Sequence, residues 1–406
     1  MKNIYLIQNS ELSFDMDISQ LYLPSQYRLF LIVNVFGKNR LLQRKQESLF
    51  EKIWITDQFD FEFIKNLIEE NQKNNLSEFF IVTNAEESVS VCGHLRKFFN
   101  KEPLDSDRFV HKVLMKELIK KSDLLYPNYF VFNPEKYIEN PSNYFDLIRK
   151  SFKFPLIIKP IDSFNCQNVE KIGDFSQLKL WCDRVKKGSY EIDEFIEGKV
   201  YNCDSYIKNN EIIFTQVSET SNSCYDFMCG KTKGTIALPH NDPVFLFLSD
   251  YTKKVHAALG YPQAGVTHLE VILTSDNTPY FLEIAHRSPG ILIPSMYKKF
   301  LNVGTIEPHI LLQIDSNYVL PIKQGPFCAW IAFPRKKGQL IKKYIPNIQS
   351  EHHLEWVYEV GDQMDFVAKG RDYAGRILLW NYDYNQLRKD FYDLNAFHFF
   401  DVKTIC

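Results

Sequence analysis

Two acidic side chains of one predicted hairpin give the strongest chemical signal in this sequence. Apolar runs at 267–273 and 280–284 flank a Thr-Ser-Asp-Asn-Thr-Pro turn, which is typical of a β-hairpin. If the turn centres on residues 276–277, Glu270 lies opposite Glu283, whether the loop has two or four residues. Directly opposed carboxylates, with Cβ atoms about 5 Å apart, repel each other. A raised pKa or a cation must therefore compensate for the repulsion.

Oxygen ligands of this kind favour a hard cation. Mg²⁺ is commonly held by one or two carboxylates together with the phosphates of a substrate. If only the hairpin register is considered, a solvated acidic hairpin explains it as well as a metal site does. Arg287, four residues after Glu283, favours the metal–phosphate interpretation because a guanidinium can bind phosphoryl oxygens, although alone it could equally be a salt-bridge partner.

Two lysines and an acidic strand complete this set of residues. Lys159 ends the predicted strand 154–158, and Lys112 lies in a helix predicted over 108–121. Each lysine taken singly is more often a solvated charge. A third segment, the strand predicted over 190–196, could hydrogen-bond a purine through its backbone, although an acidic edge strand is the simpler interpretation.

Hydrophobic periodicity predicts the elements around these residues. Strands over 29–36 and 79–83, with a helix over 59–71 between them, predict an N-terminal α/β domain. A hairpin of 201–207 with 212–217 precedes a polar, mobile loop over 218–234. The segment from Pro243 to Leu259 contains a helix that Gly260 ends, and a last helix near 384–395 closes a β-rich region.

The composition is that of an ordinary soluble protein of 406 residues, 45% of them hydrophobic and 24% charged. Lys and Arg (48) nearly balance Asp and Glu (50), and a pI near 6.6 argues against a nucleic-acid binder. The apolar stretches fall far short of the roughly 20 residues of a membrane helix. Eight scattered cysteines without a C-x-x-C pair indicate reduced thiols, so the cytoplasm is the expected location.

Taken in order, these segments resemble the ATP-grasp superfamily, most nearly its carboxylate–amine ligases of the L-amino-acid ligase and carnosine-synthase type. The matching segments are 109–116 (family F-R-D-K-x-x-M-K), 154–160 (P-L-V-V-K-P), 193–198 (E-E-F-I-x-G) and 265–290 (G-x-x-H-x-E, a hairpin, then E-I-x-x-R-x-P-G). Each motif alone is weak. Together, and in this order, they extend over more than half of the chain.

The resemblance implies an α/β (α+β) protein with the ATP-grasp fold in four parts. These are an N-terminal α/β domain over 1–105, linker helices with the first ATP-grasp lobe over 106–190, a second lobe with a metal site over 191–318, and a β-rich C-terminal subdomain over 319–406. The implied cofactors are ATP and Mg²⁺, for which Mn²⁺ can substitute. Lys112 and Lys159 would contact the phosphates, and the segment Glu194-Phe195-Ile196 would meet the adenine.

The same resemblance assigns the acidic pair and the segment after it. Glu270 and Glu283 would bind Mg²⁺, and Arg287 would be the catalytic residue that steadies the γ-phosphate and an acyl-phosphate. His268 would line the substrate pocket. The turn 288–290 would offer backbone N–H groups from Ser288 to Gly290 to the substrate.

The implied activity is ATP-dependent formation of an amide, dipeptide-like bond through an acyl-phosphate, with release of ADP and phosphate. The implied partners are small carboxylate and amine substrates, with amino acids among them. No binding to nucleic acid or membranes is expected. The oligomeric state is left open, with a homo-oligomer as one option. Two lids, 162–168 and 218–234, would exclude water. A basic cluster at 334–337 and 342–343 raises the alternative of a peptide, protein or other nucleophile as acceptor. Val200, where relatives carry a ribose-binding Glu, and the glycine-free loop 162–168 raise the alternative of a non-catalytic nucleotide-binding protein.

Overall fold

In the part of the chain that this computed structural model describes, four β-sheets have helices packed against them. The structure describes residues 1–9, 21, 26–73, 78–101, 105–163, 166–367, 370 and 372–403. None of the helices in these ranges is long and apolar enough to cross a membrane. The mixture of helices and sheets confirms the predicted α/β (α+β) class.

The N-terminal sheet is parallel, with strand order β3-β2-β1-β4. Its strands and helices are β1 (Lys2–Gln8), β2 (Tyr27–Val33), α1 (Val35–Gln43), β3 (Lys52–Ile55), α2 (Phe61–Gln72), β4 (Phe79–Val82) and α3 (Val89–Phe98). The prediction that the second strand runs to Phe36 is wrong. Asn34 ends the strand because its side chain accepts the Gly37 N–H at 2.8 Å, and α1 begins at the next residue.

A small antiparallel sheet follows, with strand order β5-β8-β6-β7. Its elements are α4 (Lys112–Ile119), β5 (Tyr129–Phe132), α5 (Pro134–Glu139), α6 (Pro141–Ser151), β6 (Leu156–Pro160), β7 (Glu170–Ile172), α7 (Phe175–Arg184) and β8 (Tyr190–Glu194). The helix predicted over 108–121 is shorter than expected. A 3-10 turn at Ser106–Phe109 precedes α4, and the ring of His111 caps the helix by accepting the Leu114 N–H at 3.2 Å.

The large sheet has eight antiparallel strands in the order β13-β12-β9-β10-β11-β14-β18-β16. Its elements are β9 (Lys199–Lys208), β10 (Glu211–Thr220), α8 (Cys224–Met228), β11 (Lys233–Ala237), α9 (Pro243–Leu259), β12 (Ala264–Leu273), β13 (Pro279–Ala285), α10 (Ile293–Leu301), α11 (Ile306–Ile314) and β14 (Phe327–Pro334). After them come β15 (Gly338–Lys343), β16 (Glu351–Trp356), β17 (Gln363–Met364), β18 (Tyr373–Asn381), α12 (Tyr384–Asn395) and β19 (Phe400–Lys403), of which β15, β17 and β19 form a separate small sheet. The domain boundary predicted at residue 319 thus lies between strands of one continuous sheet.

The two faces of the large sheet differ in polarity because side chains alternate along each strand. On one face Cys203, Leu269 and Val271 pack in the apolar cluster that contains α9 residues. On the other face lie Asp204 and Ser218, which the buried Tyr297 of α10 joins by hydrogen bonds. This second, polar face is the one that positions the predicted metal ligands.

The loop predicted over 218–234 is largely ordered secondary structure. Ser218 and Thr220 are buried at the end of β10, and β11 begins at Lys233. Between the strands, α8 is capped by Ser223, whose hydroxyl accepts the Asp226 N–H at 3.1 Å. The segment reads as a loop in the sequence because its polar side chains face a polar interior rather than solvent.

Candidate functional site

The β12–β13 hairpin pairs Glu270 with Glu283, as predicted. The register reaches this pairing through a β-bulge. Near the turn Leu273 pairs with Pro279 and Val271 with Phe281, so the extra residue Leu282 shifts the register by one before Glu270. The bulge therefore places the two carboxylates side by side on the polar face.

His268 and Asp204 set the electrostatics on the Glu270 side. The His268 ring lies 2.6 Å from the Asp204 carboxylate and 3.6 Å from Glu270. Burial alone would lower the pKa of His268, but Asp204 and Glu270 raise it to about 9. Burial would likewise raise the pKa of Glu270, yet the nearby charged ring of His268 helps to lower it to about 2. His268, predicted to line a substrate pocket, thus also holds Glu270 ionised.

Lys112 connects the hairpin to the loop 162–168, which we call the phosphate loop. Its ammonium donates a hydrogen bond to the Ser163 carbonyl and lies 3.7 Å from the Glu283 carboxylate. Phe164 and Asn165 of this loop lie outside the described residues. The side chain of Lys112 is only 9% exposed, so its charge interacts mainly with the Ser163 carbonyl and the Glu283 carboxylate beside it.

Lys159 belongs to a buried network of four charges. It lies within β6 rather than at the end of a strand, and its ammonium is 3.1 Å from Glu191 and 3.2 Å from Asp193. Lys116 contacts the same two carboxylates at 3.1 and 2.6 Å and is fully buried. Burial alone would lower the pKa of Lys159, but the two carboxylates raise it above its ordinary value. Lys116 was not predicted, although it follows Lys112 by one helical turn.

The segment Glu194-Phe195-Ile196 lies where β8 leaves the small sheet. Glu194 is the last residue of the strand, and its N–H donates to the Asn128 carbonyl at 2.9 Å. Phe195 is exposed, and the ammonium of Lys171 lies 3.7 Å from its ring centroid. Ile196 follows the end of the strand, so its backbone is not part of that ladder.

Arg287 is held by the N-terminal domain. Its Nε and Nη2 donate to one oxygen of Glu86 at 3.0 and 2.7 Å, and Nη1 donates to the Ser288 carbonyl. Burial alone would lower the pKa of Arg287, and the Glu86 charge raises it. Each terminal nitrogen retains a second N–H that these bonds do not use.

The turn 288–290 differs from its prediction at Ser288. Its N–H donates to the Asn84 side chain at 3.1 Å, so in this structure that group is not available to a substrate. Gly290 is exposed, and the position of a Cβ there would meet open space. Glu86 and Asn84 were missed because they lie about two hundred residues from their partners, where no local pattern connects them.

Lys233 is a further cation on the polar face that the sequence did not indicate. Burial would lower its pKa, but Cys224 and Glu270 raise it. It lies two residues before Thr235 on β11, within the segment that was predicted to be a loop.

Comparisons with known proteins agree with this architecture. The family described as "D-ala D-ala ligase C-terminus" matches residues 118–314. A D-alanine–D-alanine ligase of Pelagibacter ubique is 28% identical over 202 residues, which are 46% of this chain and 62% of that enzyme. A second such ligase, from Natranaerobius thermophilus, is 22% identical over 48% of this chain and 55% of its own length. The match thus spans less than two thirds of either relative.

Solved structures extend the likeness to the whole chain. An L-amino acid ligase from Bacillus licheniformis superposes with a TM-score of 0.74 at 15% identity, covering 100% of this chain and 99% of that one. N5-carboxyaminoimidazole ribonucleotide synthetase from Thermotoga maritima gives a TM-score of 0.65 at 16% identity, with 100% of both chains covered. The protein therefore has the ATP-grasp fold. Together with the sequence matches, this places it in the ATP-grasp superfamily of ligases.

Proposed function

We propose that this protein is an ATP-dependent carboxylate–amine ligase of the cytoplasm that forms an amide bond through an acyl-phosphate. The pairing of Glu270 with Glu283 beside Lys112 carries the proposal. It is supported by the ATP-grasp fold and by relatives named as D-alanine–D-alanine ligases. Amino acids are the proposed acid and amine.

The donor set fits a hard divalent cation. Glu270 and Glu283 offer only carboxylate oxygens, their side chains are 26% and 37% exposed, and each already has a cationic neighbour. Oxygen ligands of this type suit Mg²⁺ or Mn²⁺. A bound Mg²⁺ would neutralise the charge of the triphosphate during transfer.

The remaining residues would bind and orient the substrates. Lys112 and Lys159 would hold the phosphates, while the backbone of Glu194-Phe195-Ile196 would hold the adenine edge. The free N–H groups of Arg287 would bind the γ-phosphate. His268 and the turn from Ser288 to Gly290 would border the acid, with Ser288 released from Asn84.

The chemistry needs an activated acid because a carboxylate is a poor electrophile. One oxygen of the substrate carboxylate attacks the γ-phosphorus, the bond to the β-phosphate oxygen breaks, and ADP leaves. The amine then attacks the acyl carbon, phosphate departs, and the amine loses a proton. Positioning and neutralisation of charge supply most of the rate. The phosphate loop and α8 would cover the acyl-phosphate and keep water away.

An assay of amino-acid-dependent phosphate release tests the proposal. Purified protein with Mg²⁺, ATP and pooled amino acids is expected to release phosphate, and Glu283→Ala is expected to abolish this release. Glu211→Ala, on an exposed carboxylate of β10 in the same sheet, is the matched control and should retain activity. MgADP binding without turnover by any amino acid pair would instead support a non-catalytic protein.

The alternative of a macromolecular acceptor gains no support from the basic cluster. Arg335 pairs with Asp372 at 3.0 Å, and Lys343 pairs with Glu359 at 2.7 Å. Lys337 lies 5.2 Å from the Phe366 ring centroid. These contacts are those of a surface cluster with its own internal partners.

A further inference from the structure

A chain of side-chain hydrogen bonds, which we call the Asp204 network, crosses the polar face of the large sheet beside His268. Asp204 of β9 pairs directly with His268 of β12 in the strand register. One carboxylate oxygen of Asp204 lies 2.6 Å from Nδ1 of His268, and the other accepts from the Tyr297 hydroxyl at 2.6 Å. The Tyr297 oxygen also lies 2.7 Å from the hydroxyl of Ser218. The network thus joins β10, α10, β9 and β12.

The direction of each hydrogen bond in the Asp204 network follows from the groups that form it. An ionised carboxylate only accepts, so Nδ1 of His268 and the Tyr297 hydroxyl must both donate to Asp204. The tyrosine has then used its one proton, and the Ser218 hydroxyl must donate to it. Because every group has one role, the His268 ring has one fixed orientation.

Burial separates the Asp204 network from water everywhere except at the histidine. Ser218, Asp204 and Tyr297 have no exposed surface, whereas the His268 side chain is 10% exposed. Nε2 of His268 lies 3.6 Å from the Glu270 carboxylate, beyond the length of a normal hydrogen bond. Within the described part of the chain, Nε2 forms no hydrogen bond. The fixed ring therefore presents an unused nitrogen at the edge of the predicted metal site.

Stability alone does not explain a buried carboxylate at position 204. Removing a charge from water costs free energy, which hydrogen bonds and a neighbouring cation offset only in part. Apolar side chains of similar volume often pack a buried position at least as stably as an ion pair does. The effect of Asp204 on the orientation of His268 accounts for its presence more directly.

We propose that Asp204 is a positioning residue of the ligase reaction. It holds the His268 ring so that Nε2 faces the carboxylate of the acid substrate, and Tyr297 and Ser218 hold Asp204 in turn. This role rests on the proposed function, in which His268 borders the acid. Because the ring meets the carboxylate when the acid binds, a misaligned ring weakens binding of the acid and not of the nucleotide.

Kinetics of the purified full chain, with hydroxylamine at a fixed concentration in place of the amine, test this role. Formation of the hydroxamate then reports the acid alone, which is the standard amino acid that reacts fastest when each is assayed singly. Asp204→Asn preserves the shape and removes the charge, and it should raise KM for this acid about tenfold to a hundredfold. The kcat for hydroxamate formation, and MgADP affinity by calorimetry, should stay near their original values.

Tyr297→Phe tests the same role without changing a charged residue. It removes one hydrogen bond to Asp204 and keeps the ring that packs in the core. KM for the acid should rise about twofold to tenfold, less than in Asp204→Asn. This variant decides the question if Asp204→Asn does not fold.

A double-mutant cycle separates positioning from stability. If Asp204 acts through His268, Asp204→Asn should not raise KM further in a His268→Gln background. Asp390→Asn is the matched control because that carboxylate is also buried, and it accepts from the Ser350 N–H and hydroxyl at 2.8 and 2.7 Å. It should lower the free energy of unfolding without changing KM.

Nuclear magnetic resonance of protein labelled with ¹⁵N-histidine observes the ring itself. The Nδ1–H signal of His268, identified by its loss in His268→Gln, should be protected from exchange with water. Asp204→Asn should remove this protection. The Nδ1–H of His256, which donates to the Thr252 carbonyl, should remain protected in both variants and shows that they are folded.

Several results would overturn the proposal. An unchanged KM in Asp204→Asn, or effects of Asp204→Asn and His268→Gln that multiply, would refute the positioning role. A loss of MgADP affinity as large as the rise in KM would refute the specific effect on the acid. If no amino acid gave a hydroxamate, the proposed function would fail instead, and the histidine signals would still decide whether Asp204 holds the ring.

Discussion

Lys116 is fully buried and contacts the carboxylates of Glu191 and Asp193, which Lys159 also contacts. Removing one partner from a buried ionic network leaves an uncompensated charge that water cannot reach. We expect Lys116→Met to lower the free energy of unfolding by about 3–5 kcal/mol in chemical denaturation. Lys120→Met, at the exposed end of the same helix, should change it by less than about 0.5 kcal/mol. Equal stabilities of the two variants would contradict this role of Lys116.

The buried His256 is expected to make the free energy of unfolding depend on pH in the acid range. Burial lowers the pKa of its ring from 6.5 to about 4, while Nδ1 donates to the Thr252 carbonyl and Nε2 accepts from Thr267. Below pH 6.5 the unfolded chain binds a proton that the folded chain does not. Stability that is present at neutral pH is therefore lost as the pH falls from about 6.5 towards about 4, to a total of roughly 3 kcal/mol.

Denaturation at a series of pH values measures this loss. Between about pH 7 and about pH 5, His256→Gln should lose less stability than the unmodified protein because one titrating group is gone. His353→Gln, on the exposed strand β16, should follow the unmodified protein. Parallel curves for all three proteins would show that His256 does not govern the acid response.

The sequence predicted the candidate site to the extent that its residues are close together in the chain. Glu270 and Glu283 belong to one hairpin, so a prediction from the turn could pair them, but the register at the turn differs by one residue from the predicted one and the pairing depends on the bulge at Leu282, which was not foreseen. Glu86 was not foreseen because its contact with Arg287 spans 201 positions. Such contacts depend on the packing of domains, for which a single sequence holds no local signal.

At the level of elements, helices with strong end signals were predicted most accurately. The structure has α9 from Pro243 to Leu259, as predicted, because Asp242 caps it, proline occupies its first turn, and Gly260 follows with a φ of 89°. The segment 218–234 was predicted wrongly because its polar side chains pack against a polar face. Hydrophobic periodicity cannot detect a strand whose buried side is hydrophilic.

A substitution at Gly265 tests how closely β12 packs against its neighbouring residues. Its φ is 120°, and a Cβ there would lie 2.8 Å from Nε2 of His286 and 3.0 Å from Nδ1 of His309. We expect Gly265→Ala to destabilise the protein by more than Gly361→Ala, which has a φ of 104° but open space around its Cβ position. The control Gly361→Ala should lower the free energy of unfolding by about 1–3 kcal/mol because of its backbone conformation alone.

For Gly265→Ala, the contact of the new Cβ with the two histidines should lower the free energy of unfolding by about 1–3 kcal/mol more. Thermal and chemical denaturation of the two variants measure the difference directly. If both variants lost the same stability, the two histidines would be able to move aside, and their packing would not constrain β12.

At the scale of the whole molecule, α11 joins the N-terminal sheet to the large sheet. Ile310 and Ile314 pack in the same cluster as Ile4 and Leu6 of β1. His309 accepts the Val266 N–H with Nδ1 and donates from Nε2 to the Thr83 carbonyl, both at 2.9 Å. These two hydrogen bonds fix the end of β4 against β12. Glu86, which follows β4, contacts Arg287.

Glu86 shows what this arrangement of domains contributes to the proposed reaction. It binds Arg287 through two nitrogens and leaves other N–H groups of the guanidinium unused by these bonds, so we expect it to act as a positioning residue in the proposed reaction. Glu86→Gln removes the charge but preserves the shape. Because a misplaced group slows chemistry more than it weakens binding, kcat for amino-acid-dependent phosphate release should fall about tenfold to a hundredfold. MgADP affinity, measured by calorimetry, should stay near its original value.

Glu51→Gln, an exposed carboxylate in the N-terminal domain, is the matched control and should change neither quantity. A Glu86→Gln variant that lost MgADP affinity and kcat in equal proportion would indicate general disruption of the domain contact. An unchanged kcat would show that Arg287 reaches its working position without help from the N-terminal domain. The expected separation of kcat from affinity arises because the Glu86 carboxylate binds Arg287, and the arginine would contact the phosphoryl group in transfer.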